Sequence, residues 1–155
     1  RDRIARDHGA AGVVFGVADK AGGLDVNAMR GLLAASCGLQ TTLHRVFDAV
    51  PDQFIALEQA IDLGFDRILT SGSAQNALCG ARKTADLIAR AKQRIGILPG
   101  AGVTSENAEK ILEVTGAAEL HASCKMVNHG VSDDPDRVAV DADQVRALCR
   151  AMQGG

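Results

Sequence analysis

The chain has 155 residues, enough for one compact domain with a core, and we read residues 1–155 as a single domain. With 46% hydrophobic and 23% charged residues it has the composition of a globular protein, and no run of about 18 apolar residues exists to span a membrane. Seventeen basic against 19 acidic residues give a net charge of −2, and the chain has no Trp or Tyr and only 4 Phe. That balance offers neither the electrostatic footprint nor the stacking surface of a nucleic-acid partner.

The opening "RDRIARDHGA" lacks the apolar stretch and small-residue cleavage site of a signal peptide. It reads as a helix tail, so the chain is expected to begin partway through a larger domain. The first apolar run, "AGVVFGV" (11–17), reads as a strand. After Asp25, Val26, Met29, Leu32 and Leu33 fall on one helical face. A second strand is expected at "TTLHRVF" (41–47). After Pro51, Phe54, Leu57 and Ile61 mark a helix that Gly64 is placed to end. "RILTSG" (67–72) reads as the third strand, followed by a helix over 74–90 with Leu78, Ala81, Ala85 and Ile88 on one stripe. "IGILPGAG" (95–102) reads as the fourth strand. Its helix carries Ala108, Ile111 and Leu112, is capped by Thr104 or Ser105, has Glu106 in its first turn and ends at Gly116. "AELHAS" (118–123) reads as a fifth strand. Residues 126–142 are the most loop-like stretch, and a last helix is expected over Asp143–Met152.

The strands show little alternation, which suits a parallel sheet covered on both faces. Strand–helix alternation of this kind predicts an α/β fold, either an open doubly wound sheet or a (β/α) barrel. Five strands against the eight of a closed barrel would make this chain only part of one.

In both architectures the site lies beyond the carboxyl ends of the strands. Strand two ends with His44, Arg45 and Asp48; strand three with Thr70, Ser71 and Gly72; strand four with Gly100 and Gly102; strand five with Glu119, His121 and Ser123. Buried polar groups need partners. One reading is therefore a structural Arg45–Glu119 pair with two satisfied histidines. The other is a polar cluster facing a small anionic or metal-bound ligand. His44 and His121 have the chemistry of metal ligands or of a general acid–base pair. Cys124, just beyond strand five, would add a thiolate beside His121 for a soft metal. In "LTSG" and "PGAGVTSEN", glycine lets backbone amides approach a ligand, whereas Glu106 would repel an anion. His8 and His129 are expected to face solvent. Cys37, Cys79, Cys124 and Cys149 contain no C-x-x-C pair and read as reduced thiols of a cytoplasmic protein.

Taken together, "GVVFGVADKAGGLDVNAMRGLL", "TLHRVFDAV", "LEQAIDLGFDRILTSG", "ILPGAGVTSENAEKIL" and "ELHASCK" resemble the CutC family of copper homeostasis proteins. The resemblance implies a TIM-barrel (β/α)8 fold of which this chain supplies about five C-terminal βα units. It implies a cytoplasmic protein of copper tolerance that binds copper(I), with no defined reaction and no assigned enzyme class. It carries over a cleft of His44, Arg45, Asp48, Ser71, Gly72, Gly100, Gly102, Glu119 and His121. The cysteine-bearing first strands of the family have no counterpart here, so copper(I) is expected to bind this chain poorly. The alternative is a barrel enzyme of a phosphorylated or carboxylated small molecule, with Arg45 and the Gly72, Gly100 and Gly102 amides on the anion and Glu119 and His121 as acid–base groups. The expected partners are a copper ion or a small anionic ligand, with neither nucleic acid nor membrane. Open sheet edges also make self-association an expectation.

Overall fold

A computed structural model describes residues 2–125 and 139–153; the loop-like stretch and His129 fall largely or wholly outside them. Four parallel strands, β1 (Gly12–Phe15), β2 (Gln40–Leu43), β3 (Arg67–Thr70) and β4 (Gly96–Pro99), lie in chain order in one sheet. Helices alternate with them: α1 (Asp2–Asp7), α2 (Val26–Ala35), α3 (Gln53–Leu63), α4 (Ala81–Ala91), α5 (Ala108–Thr115) and α6 (Ala142–Met152). Neighbouring parallel strands joined by helical crossovers are the repeating unit of a (β/α) barrel, and the described residues form an arc of one.

Burial alternates along β2, β3 and β4. Thr41, Leu43, Ile68, Thr70, Ile97 and Pro99 are buried, whereas Thr42, Arg67, Leu69 and Leu98 are only half-buried. Among the described residues the sheet is thus covered on one face, not two. The covered face packs Leu43, Phe47, Leu57, Ile68, Leu87 and Ile97 into one cluster with Met29 and Phe65. A smaller cluster of Ala77, Val103, Ala108 and Ile111 lies under α5, with Leu148 of α6 against it. On the concave face Val14 is 62% exposed.

Helix signals were well marked in the sequence. Asp25 caps α2 through Ala28, Asp52 caps α3 through Phe54 and Ile55, and Gly64 ends α3 in the left-handed conformation. Four expectations are corrected. Strand two stops at Leu43, because the His44 side chain caps a single 3-10 turn, Arg45–Asp48, that turns the chain off the sheet. The helix expected over 74–90 begins only at Ala81. Residues 71–80 are a packed loop with Ala77 fully buried and its amide bonded to the Ala101 carbonyl at 2.9 Å.

Neither Thr104 nor Ser105 caps α5. Asn107 precedes it, accepting from the Thr104 amide at 2.9 Å and donating to the Gly102 carbonyl at 2.8 Å, which leaves Glu106 in the turn before the helix. Finally, the fifth strand reduces to one bridge between Gly100 and His121. The Pro99 carbonyl accepts the His121 amide at 2.9 Å. In a parallel ladder the next bond would run from the nitrogen of residue 99 to the carbonyl of residue 119. Proline has no N–H to give it.

Candidate functional site

At the carboxyl ends of β1–β4 the side chains form a dense polar cluster centred on Asp48. Its carboxylate accepts from the Thr70 hydroxyl, from the Ser71 amide at 3.0 Å and hydroxyl at 3.0 Å, and from the Ser73 amide at 3.2 Å. Gln53, a residue the sequence reading passed over, adds its Nε2 at 3.3 Å from inside α3. Burial pushes the Asp48 carboxyl up, but hydrogen bonds from Thr70, Arg45 and the Ser71 and Ser73 amides outweigh it and hold it below the ordinary value.

The loop after β3 is therefore an anion cradle, and Asp48 of the same chain fills it. From the sequence, Ser71 is a candidate ligand-binding residue and Gly72 is expected to offer its amide to a ligand. Instead the Ser71 amide serves Asp48, and the Gly72 amide donates to the Thr70 hydroxyl at 2.9 Å. Gly72 has φ 68°, and a Cβ there would lie 2.4 Å from the Gly80 carbonyl oxygen, so the cradle admits no side chain at this point.

Asp48 in turn fixes Arg45. The guanidinium Nε donates to Asp48 at 2.7 Å, and Nη2 donates to the Ser71 hydroxyl at 2.8 Å. The expected Arg45–Glu119 pair does not form. Arg45 is 44% exposed against 9% for Asp48, so the bonds hold one edge of the guanidinium while part of the side chain stays open to solvent. Among the described residues nothing accepts from Nη1.

His44 leaves β2 next to Arg45, and its Nδ1 accepts the Val46 amide at 3.1 Å. The ring needs Gly16 beneath it: a Cβ at Gly16 would lie 2.9 Å from Nδ1 and 2.6 Å from the Val46 side chain. Sequence offered no signal for that contact.

Glu119 sits elsewhere. It takes a bidentate pair from Arg67, at 2.6 and 3.1 Å, and Arg67 reaches Gln40 at 2.8 Å. Arg67 and Gln40 are the first residues of β3 and β2, so this group lies at the amino ends, opposite the mouth. The Arg67 hydrogen bond lowers the Glu119 carboxyl below its usual range. A cavity of about 810 Å³ opens at that same end, between Arg67, Gly96 and Glu119, away from the end where such folds place their chemistry. His121 stays at the mouth, exposed and bridged to Gly100. Gly100 donates to the Thr70 carbonyl at 2.9 Å and the parallel bridge to His121 engages the Ala101 amide, while the amides of Gly102 and Val103 meet no acceptor among the described residues. Ala101 holds φ 82°, a strained value for a residue with a side chain.

Cys124 is half-buried, and Cys37, Cys79 and Cys149 are exposed. Among the described residues no three His, Cys, Asp or Glu side chains are grouped to hold a metal ion. Among the described residues Cys124 and His121 are thus not part of a cluster of three such ligands.

The sequence model of the CutC family matches residues 2–126. The chain belongs to the CutC family. A CutC family protein of Sinorhizobium medicae is 42% identical over 153 residues, covering 93% of this chain and 62% of that protein. The mouse protein named copper homeostasis protein cutC homolog is 43% identical over 123 residues, covering 79% of this chain and 45% of its own length. This CutC chain thus spans roughly half to three-fifths of these relatives. The crystal structure described as a putative copper homeostasis protein CutC from Streptococcus agalactiae superposes with TM-score 0.74 at 32% identity, over 77% of this chain and 59% of that one. A structure described as native KDPGal matches with TM-score 0.59 at 15% identity, a likeness of fold alone. The α/β barrel class of this CutC chain agrees with both.

Proposed function

We propose that this chain is the small-ligand mouth of a CutC barrel serving copper homeostasis, and that the mouth binds an oxyanion. The names of the relatives support the copper context. The observation that carries the mouth reading is Arg45: Asp48 and Ser71 hold one edge of its guanidinium, and the other edge has no acceptor among the described residues. A fixed guanidinium fork with a free edge is a recognition element for carboxylate or phosphate. Among the described residues no thiol belongs to a cluster of three metal-ligating side chains, and in this reading copper(I), as cargo, is held by other parts of a complete barrel. The acid–base alternative keeps only His121 at the mouth, since Glu119 is engaged by Arg67 at the opposite end.

Thermal melts with sulfate, phosphate and acetate test this reading. At least one anion should raise Tm in proportion to its occupancy, and Arg45→Gln should abolish the rise. In parallel, a full-length relative should withdraw copper(I) from a chelator more strongly than this chain does. No Tm response to any of the anions would overturn the mouth reading. Copper(I) uptake by this chain equal to that of the relative would overturn the assignment of copper to absent parts.

A further inference from the structure

We infer that the mouth selects a planar monoanionic carboxylate, read only by hydrogen-bond donors, with His44 as one of those donors rather than as a base or metal ligand; this rests on the mouth reading above. Three observations carry it.

The first is the tautomer of His44. Its Nδ1 accepts the Val46 amide, so Nδ1 bears no proton, and in the neutral ring the proton is on Nε2. His44 therefore presents an N–H. To take a proton or a metal at Nε2 it would have to give up that hydrogen, and moving it to Nδ1 would break the cap on the 3-10 turn.

The second is the guanidinium edge. With Nε and one hydrogen of Nη2 engaged by Asp48 and Ser71, the donors left free among the described residues are Nη1 and the second hydrogen of Nη2. These are coplanar and parallel, the arrangement that two oxygens of one carboxylate satisfy.

The third is charge. The Asp48 carboxylate lies 2.7 Å from the Arg45 Nε and offsets its charge, so the pair is neutral as a unit. The β3 loop amides that would otherwise serve a phosphate are taken by Asp48 and Thr70. A phosphate dianion would meet too little positive charge here. A monoanionic carboxylate needs one fork, which the outer edge of Arg45 supplies, and one further donor, the role we assign to His44 as the neighbouring residue in the chain. The amides of Gly102 and Val103, without acceptors among the described residues, would extend the donor surface toward a ligand's next polar group.

Calorimetric titration of the chain with acetate, lactate and inorganic phosphate tests the inference. Lactate, a monoanion at neutral pH, should bind about tenfold more tightly than phosphate, and Arg45→Lys, which keeps the charge but loses the fork, should lose about tenfold of that affinity. On the unsubstituted chain, nitrogen-15 spectra of the imidazoles should show His44 protonated at Nε2 and its resonance moving with lactate. Phosphate binding as tightly as lactate, or a His44 proton on Nδ1, would overturn the inference while leaving an oxyanion mouth standing. No saturable response to any of the three anions would overturn both.

Discussion

Asp48 accepts from Thr70, Ser71, Ser73, Gln53 and Arg45, and this gives the carboxylate a defined part in stability. Its folded pKa is depressed, so its contribution is present above the unfolded carboxylate value and is lost as pH falls through the lower, folded value. Urea unfolding at pH 7 and pH 3 should show the loss, and Asp48→Asn should remove that part of the pH dependence. At pH 7 the same substitution leaves Arg45 without its counter-charge. It should cost about 2 kcal/mol, since the guanidinium is partly solvated. Equal stability of Asp48→Asn and the parent chain at pH 7 would contradict this role. Gly16→Ala should push the His44 ring aside and destabilise by about 1–3 kcal/mol, with a displaced imidazole resonance as the specific sign. Much of this was legible: "HRVFD" places three polar residues at a strand end within one short word. What the sequence could not show was who satisfies whom. Asp48 meets Ser71 23 positions later, and Arg67 meets Glu119 52 positions later. Spacing carries no information on such pairs.

At the scale of elements, the sequence was readable wherever the signal is local. Aspartate caps, a helix-ending Gly64 and apolar stripes set α2 and α3, because their causes lie within one or two turns. It misled where a side chain competed with the sheet. His44 stops β2 by capping a turn, and Pro99 denies the fifth strand the next bond toward its amino end. Pro99→Ala would supply the missing N–H. The new amide at 99 should then be protected from hydrogen exchange, as a ladder amide is. Rapid exchange there would show that something other than the proline ends the ladder. Arg67→Ala should speed exchange at the His121 amide, because the bidentate pair to Glu119 anchors the segment two residues earlier. An unchanged rate would show that the single bridge suffices.

At the scale of the whole molecule, an arc of parallel sheet covered on one face is an incomplete solution to burial. Parallel strands normally bury both faces, yet Val14 is 62% exposed and Thr42, Leu69 and Leu98 are half-buried on the concave side. β1 also presents an open edge. Sedimentation at micromolar concentration should therefore find the isolated chain self-associated, whereas a sharp two-state melt from a monomer would contradict that expectation. The polar mouth does not depend on the missing cover, because Asp48, Arg45, Ser71 and His44 are all fixed by neighbours within the arc. A crystal of this chain grown with acetate tests that claim most directly. Acetate density should appear with both oxygens on the outer Nη1–Nη2 edge of Arg45. Acetate absent from that edge, with the Asp48–Arg45–Ser71 bonds intact, would contradict it.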